Sequence, residues 1–149
     1  MSHTFVRRLI LAFLLSCLTA CVNLAGYDQR AYENATSLKP RTIAMVEKSK
    51  IAGSFVANEA AVERLMIDLE AAFEYANGIE YNNEAAKNWR DLIGNEERMV
   101  TAWAVRWDRQ GQVGPALANE LKLQFAEAFD IIICLEANKR QLSACPSLE

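Results

Sequence analysis

The sequence predicts an all-α protein, and three of its features support this. Helix-forming residues such as alanine, leucine, glutamate and lysine are abundant, and only Pro40 and Pro115 precede residue 146. Apolar residues recur at spacings of three and four, and no alternation of period two persists. We expect an up-down helical bundle of about four helices, because the short predicted connections place successive helices side by side.

The first two helices are predicted over residues 27–49 and 58–77. Pro40 is expected to break the first helix, either by kinking it or by starting a second short helix at Arg41, because proline lacks an amide donor and disfavours helical backbone before it. The second helix should end at Gly78, since glycine tolerates the left-handed cap conformation. One apolar stripe runs along this second helix: Val62, Leu65, Met66, Leu69, Phe73 and Ala76.

The third and fourth helices are predicted on either side of a turn over residues 109–114. Asn82 or Asn83 can cap the third helix, which should continue to about Asp108. Pro115 suits the first turn of the final helix. The final helix also carries an apolar stripe: Leu117, Leu121, Phe125, Ala128, Ile132 and Leu135.

The N-terminus has the pattern of a secretory signal. Arg7 and Arg8 precede an apolar run over residues 9–18. Ten helical residues span only about 15 Å, whereas a hydrocarbon core is about 30 Å thick. The run is therefore too short for a membrane-spanning helix and typical of a signal peptide.

A lipid attachment site follows this run. Leu18-Thr19-Ala20-Cys21 resembles the lipobox of bacterial lipoproteins, and residues 14–17 form a poorer second match. We expect a signal peptide over residues 1–20, a lipidated tether over 21–26 and a single helical domain over 27–149. The alternative is an ordinary secretory signal in which Cys21 occurs by chance. In bacterial lipoproteins generally, a residue such as Val22 after the cysteine directs sorting to the outer membrane, with the domain facing the periplasm.

Composition after cleavage excludes several classes of function. Removing residues 1–20 lowers Lys+Arg from 16 to 14 against 19 Asp+Glu, which gives a formal charge near −5. This balance argues against a nucleic-acid partner. Cleavage also removes His3, the sole histidine, and with it histidine-based nucleophile activation and His-ligated zinc. We expect no catalytic residue, no cofactor and no metal.

Three tryptophans fall on one side of the predicted third helix. At about 100° per residue, Trp89, Trp103 and Trp107 lie within about 40° of one another. The main interpretation is a buried stripe in the core. The alternative is that Trp103 and Trp107 form an aromatic docking surface, because tryptophan is enriched in interface hot spots.

Glu96 falls on the same stripe. A carboxylate buried there would need a partner such as Arg64 or Lys48. We expect an ion pair or a position at the rim, and a catalytic acid is the weaker alternative. Gly94 offers a third outcome, in which the helix bends and Glu96 turns outward.

Cys134 and Cys145 are the other cysteines of the mature chain. We expect a disulfide in an oxidising periplasm. In one continuous helix the two would be about 16 Å apart, beyond the ~7 Å limit for their Cα atoms. The helix must therefore end near residues 139–142. The alternative is a buried thiol at Cys134 and a free one at Cys145.

Two short motifs stand out in the mature chain. The first consists of Tyr27-Asp28, Tyr32, Thr36 and Leu38-Lys39, and the second of Glu74-Tyr75, Gly78 and Asn82. They resemble patches of small proteobacterial membrane lipoproteins, and the resemblance extends over about half of the mature chain through such short motifs. The resemblance implies an envelope location and a helical domain, and it implies no reaction, ligand or residue role.

These observations predict a lipid-anchored envelope protein with a helical protein-interaction module. Its partners would be the membrane, through the lipid on Cys21, and another envelope protein. The candidate interaction surface comprises Trp103, Trp107, Tyr27 and Tyr32. The alternative is a periplasm-facing carrier of an apolar ligand in the bundle interior, in a cavity lined by Trp89, Phe73 and Phe125.

Overall fold

The structure, a computed structural model, describes residues 25–141 and 144–146. The predicted signal peptide, Cys21 and Val22 lie outside these residues. Within the described part the protein is all-α, with five helices and no strand. The helices are α1 (Gln29–Lys48), α2 (Phe55–Gly78), α3 (Asn83–Ile93), α4 (Met99–Gln110) and α5 (Pro115–Ala137).

Helix α1 is continuous, so the predicted break at Pro40 is wrong. The helix runs for 20 residues through Pro40. Buried Leu38 and Thr42 flank the proline, and the Thr42 hydroxyl donates to the Leu38 carbonyl at 2.9 Å. Packing of this face stabilises the helix by more than the loss of one backbone hydrogen bond at Pro40 destabilises it. In an isolated helix, without such packing, the proline would end the helix.

The break falls in the predicted third helix instead. Helix α3 ends at Ile93 and α4 begins at Met99, so a five-residue turn separates them. Gly94 adopts φ 71° and ψ −144°, a conformation open essentially to glycine alone. The described part therefore has five helices instead of the predicted four, because α3 and α4 together occupy the range of the predicted third helix.

The remaining helix boundaries agree with the sequence to within a few residues. Helix α2 begins at Phe55, three residues before the predicted start, and its last residue is Gly78. Gly78 does not adopt positive φ, so the expected left-handed cap is absent there. Pro115 is in the first turn of α5, as predicted.

Helix packing brings distant ends of the chain together. Helix α1 packs mainly on α5, and α2 lies between α1 and α3. The start of α1 meets the end of α2, where the Tyr75 hydroxyl donates to Asp28 at 3.1 Å. We call this the tether end, because the described part of the chain begins here, just before α1. At the opposite end, the Val113 amide donates to the Ser49 carbonyl at 2.7 Å.

The core is rich in aromatic side chains. Trp89 and Phe129 pack edge to face with ring centroids 5.8 Å apart, and Trp103 packs on Phe125 at 6.4 Å. The largest wholly buried side chains come from all five helices: Trp89, Trp103, Trp107, Phe125, Phe129, Leu65, Leu69, Leu92, Ile131, Ile132, Glu136 and Val46. The sequence prediction of a buried tryptophan stripe is confirmed.

A disulfide joins Cys134 in α5 to Cys145 beyond it. The helix ends at Ala137, two residues before the earliest predicted end, and the chain then folds back. The Cα atoms of the two cysteines are 5.7 Å apart. The predicted disulfide is present, and the condition that α5 must end first is met.

Candidate functional site

An open cleft lies where α3, α4 and α5 diverge. Its volume is 890 Å³. We call it the α3–α5 cleft, and it is lined by Lys87, Arg90, Asp91, Gly94, Asn95, Glu97, Arg98, Met99, Ala102, Trp103, Arg106, Leu117, Leu121 and Gln124. Most of these residues come from the two short helices and the turn between them, so the break in the predicted third helix creates the cleft.

The turn over residues 94–98 is tightly constrained. The Asn95 amide donates to the Arg98 carbonyl at 3.2 Å, and the Arg98 amide donates back to the Asn95 carbonyl at 3.0 Å. The Asn95 side chain accepts from the Glu97 amide at 3.0 Å. A Cβ added to Gly94 would lie 2.3 Å from the Arg98 carbonyl oxygen. The turn therefore needs glycine at this position.

Met99 links this turn to the cleft. Its backbone has φ 60°, which is unusual for a residue with a side chain and costs about 1–3 kcal/mol. The side chain is half-buried and packs against the core. The strained backbone thus places a flexible apolar side chain on the floor of the cleft.

The rim of the cleft is positively charged. Four cationic and two acidic side chains line it. Lys87 donates to Asp91 at 2.7 Å, and this hydrogen bond raises the pKa of Lys87. No ion pair found among residues 25–141 involves Arg90, Arg98 or Arg106. These three guanidinium groups therefore contact no carboxylate among the described residues, and their positive charge is available to a ligand.

A second polar site lies at the tether end. Glu136 and Lys139 are buried, and the Lys139 ammonium is 2.6 Å from Oε2 of Glu136. The same ammonium donates to Oδ1 of Asn82, whose amide donates to Glu136 at 3.2 Å and to the Ala76 carbonyl at 3.0 Å. The two charges thus compensate each other by proximity, although Oε2 of Glu136 accepts no hydrogen bond of good geometry within the described residues. This pairing favours a structural role in joining α5 to the turn before α3.

The two sequence motifs meet beside this site. Asp28 caps α1 by accepting from the Ala31 amide at 2.8 Å, and it also accepts from the Tyr75 hydroxyl. The Arg30 guanidinium lies over the Tyr75 ring, 4.5 Å from its centroid. Burial and the hydrogen bond to Asp28 raise the pKa of Tyr75. The first and second motifs therefore fasten α1 to α2 at the tether end.

The predicted aromatic surface is only partly exposed. Trp103 and Trp107 are buried, so their assignment to a docking surface is wrong. Their indole nitrogens donate to the hydroxyls of Ser49 at 3.1 Å and Ser54 at 3.2 Å, which explains how they are accommodated in the core. Tyr27 is 60% exposed and packs against half-buried Tyr32 at the tether end.

Glu96 is not buried, because it lies in the turn between α3 and α4. Its side chain is 75% exposed, and its nearest cationic group is Arg109 at 3.7 Å. The expected pairing with Arg64 or Lys48 does not occur. Gly94 turns the chain outward before Glu96, which was the third of the predicted outcomes.

The residues proposed to line an apolar cavity belong to the packed core. Trp89 and Phe125 are wholly buried, and Phe73 is 7% exposed. All three are members of one continuous core cluster. None of them lines the α3–α5 cleft or the two smaller clefts described in the structure.

Sequence reasoning missed the arginines of the cleft and the buried polar site. Glu136 and Lys139 are three residues apart, a spacing common on exposed helix faces, so the spacing gave no sign of burial. Asn82 was predicted only as a helix cap, yet its side chain makes no capping hydrogen bond to α3. Its two charged partners, Glu136 and Lys139, lie more than 50 residues further along the chain.

Comparison of the chain with protein-family models, curated proteins and solved structures returned no match. Among the helices of residues 25–141, none combines the length and apolar character that a membrane span requires. In the described part of the chain, no group of three or more histidine, cysteine, aspartate or glutamate side chains is arranged to hold a metal ion.

Proposed function

We propose that this chain is a lipid-anchored envelope protein whose helical domain binds another protein and has no catalytic activity. The anchor is the lipid on Cys21, in the lipobox formed by residues 18–21. The domain is an up-down bundle in which α3 and α4 together take the place of one helix. The observation that carries the binding role is the α3–α5 cleft, in which an apolar floor lies beside three arginines that form no ion pair with the described residues.

The position of the first described residues indicates which end of the domain an anchor at Cys21 would hold. Ala25 is buried, four residues after Cys21, and the chain continues directly into the cap of α1 at Asp28. Four residues reach at most about 14 Å. A lipid on Cys21 therefore holds the tether end close to the membrane surface, and Val22 favours the outer membrane.

The disulfide supports export. Cys134 and Cys145 are bonded, and such bonds form and persist in oxidising compartments such as the periplasm. A signal peptide over residues 1–20 provides the route to that compartment.

The composition of the cleft supports a protein partner. Arginine and methionine are enriched in protein–protein interfaces, and both line the α3–α5 cleft. A pocket for a small ligand is usually concave and mainly apolar, with few charges. The cleft is instead open along one side of the domain and has six charged side chains.

Lipid attachment is tested by labelling cells with a palmitate analogue. The wild-type chain should be labelled and found in the membrane fraction, and Cys21→Ser should lose both properties. Cys17→Ser is the matched control, because Cys17 belongs to the poorer second lipobox and should be dispensable. Full labelling of Cys21→Ser would contradict the proposed anchor.

Protein binding is tested by photo-crosslinking in living cells. A benzophenone amino acid is placed at Gln124, which lines the cleft, or at Ile67, which is 60% exposed on α2. An adduct with one specific protein is expected. If neither position, nor further exposed positions on α1 and α5, gives a protein adduct, the binding role is refuted.

A further inference from the structure

We infer that the α3–α5 cleft binds an acidic, amphipathic segment of the partner protein. The inference rests on the proposed function and adds the chemistry of the ligand. It follows from the charge of the rim, the apolar floor and the distance of the cleft from the tether end.

The charge of the cleft is opposite to that of the domain. The mature chain has a formal charge near −5, since 14 Lys+Arg face 19 Asp+Glu. The cleft has four cationic and two acidic side chains, and the Lys87–Asp91 pair is internally satisfied. Arg90, Arg98 and Arg106 thus outnumber the remaining carboxylate, Glu97. This local excess favours an anionic ligand.

The arginines have the chemistry to bind carboxylates specifically. A guanidinium group presents several donors in a planar fork and binds a carboxylate through two parallel hydrogen bonds. The Arg90 guanidinium also lies over the Phe73 ring, 4.8 Å from its centroid. This stacking fixes Arg90 at one wall of the cleft, so less conformational entropy is lost when a ligand binds.

The floor of the cleft requires apolar groups in the ligand. Met99, Leu117 and Leu121 are all half-buried, and one side of each faces the cleft. Wholly buried Trp103 lies beneath them. Burial of such apolar surface contributes about 25 cal/mol per Å². A helix with leucines on one face and glutamates beside them satisfies both the floor and the rim.

The location of the cleft distinguishes a protein from a lipid headgroup. The tether end holds the end of α5 at Ala137, whereas the cleft meets α5 over residues 117–124. The thirteen helical residues from Gln124 to Ala137 rise about 20 Å. The potential of an anionic membrane decays over about 8 Å at physiological salt. The α5 side of the cleft is therefore placed to meet a protein beyond the membrane surface, while Arg90, which lies over the Phe73 ring, is closer to the tether end.

The test measures peptide binding to the mature lipoprotein in phosphatidylcholine nanodiscs by fluorescence anisotropy. The probe is a labelled 16-residue helical peptide with leucines at positions i, i+3, i+4 and i+7 and glutamates on the flanks. A second peptide has the same leucines with lysine in place of every glutamate. We expect the acidic peptide to bind at least about tenfold more tightly, and its affinity should fall as salt is raised.

Charge reversal locates the binding site. Arg98→Glu and Arg106→Glu should each weaken binding of the acidic peptide about tenfold or more, because each removes a charge-assisted contact and adds a repulsive one. Arg64→Glu is the matched control, since Arg64 is exposed on α2, outside the cleft, and makes no ion pair among the described residues. Circular dichroism verifies that each variant is folded.

Three outcomes would overturn the inference. They are equal binding of both peptides, equal weakening by Arg64→Glu, and photo-crosslinks from Gln124 to lipid instead of protein. Protein crosslinks from Ile67 alone would refute the cleft as the binding site and leave the proposed function standing. Protein crosslinks from no surface position would refute the proposed function itself.

Discussion

Replacing Gly94 by alanine should destabilise the domain severely. The residue has φ 71° and ψ −144°, so an alanine there is strained by about 1–3 kcal/mol. The new Cβ would also lie 2.3 Å from the Arg98 carbonyl oxygen and 2.9 Å from the Met99 Cβ. The carbonyl belongs to a hydrogen-bonded turn and cannot move without breaking it. We expect a loss near the top of that range, about 3 kcal/mol.

The loss is measured as a change in the free energy of unfolding, from urea titration followed by circular dichroism. A loss of about 3 kcal/mol should lower the melting temperature by roughly 10 °C in a domain of this size. Gly78→Ala is the matched control. Gly78 is helical, and an added Cβ meets no atom within 4 Å. That variant should be stabilised by about 0.4–1 kcal/mol, because the unfolded chain loses conformational freedom.

Comparing the two glycine variants shows whether the loss of stability comes from backbone strain at Gly94 or from any replacement of glycine by alanine. If Gly94→Ala is as stable as the wild type, the turn does not have the described backbone, and the cleft does not have the described shape. If both variants lose the same stability, the conformational argument fails, because Gly94 has positive φ and Gly78 does not.

Three further predictions concern the tether end. Lys139→Met should cost about 3–5 kcal/mol in urea titration, since it leaves a buried carboxylate unpaired. The same change at exposed Lys87 should alter stability little, and equal losses would refute the role of burial. Reduction of the Cys134–Cys145 bond should lower stability by about 3 kcal/mol, and an unchanged urea midpoint after reduction would contradict this. The pKa of Tyr75 is raised above its usual 10.0 by burial and by the carboxylate that caps α1, so its stabilisation is present below pH 10 and is lost as pH rises further. Tyr75→Phe should remove this part of the alkaline loss, and an identical alkaline profile would refute it.

The helical fold follows from local properties that the sequence displays directly. Apolar residues at helical spacing define which face of α2 and α5 is buried, and Val62, Leu69 and Phe125 are buried as that pattern predicts. Pro115 begins α5 because its fixed φ suits the first helical turn. The disulfide was predictable because only two cysteines remain in the helical domain and a ~7 Å limit governs their approach.

Pro40 and Gly94 show why the breaks could not be placed from the sequence. Both residues disfavour helix, so local propensity alone favours a break at each. Packing of α1 against α5 and α2 keeps the helix intact through Pro40. At Gly94 no side chain is present to bury, and positive φ permits a turn that brings Trp89 and Trp103 into the same core. Whether the helix breaks at Pro40 or at Gly94 therefore depends on tertiary contacts, which local helix propensity does not describe.

The candidate site was hidden for the same reason. Arg90, Arg98 and Arg106 have no distinctive spacing, and they line one cleft only because α3 and α4 are separate helices. Asn82 and Lys139 are 57 residues apart, and only the fold brings them into contact. Their burial follows from the packing of α5 beside the turn before α3.

By itself the sequence determined the helical class of this protein and its buried faces. These follow from composition and from periodicities that act within a few residues. Only the tertiary structure decided which potential helix break is real, which charged groups are buried and which arginines share a cleft. The reason is physical: each of these outcomes depends on competition between local backbone preference and burial against residues far away in the chain.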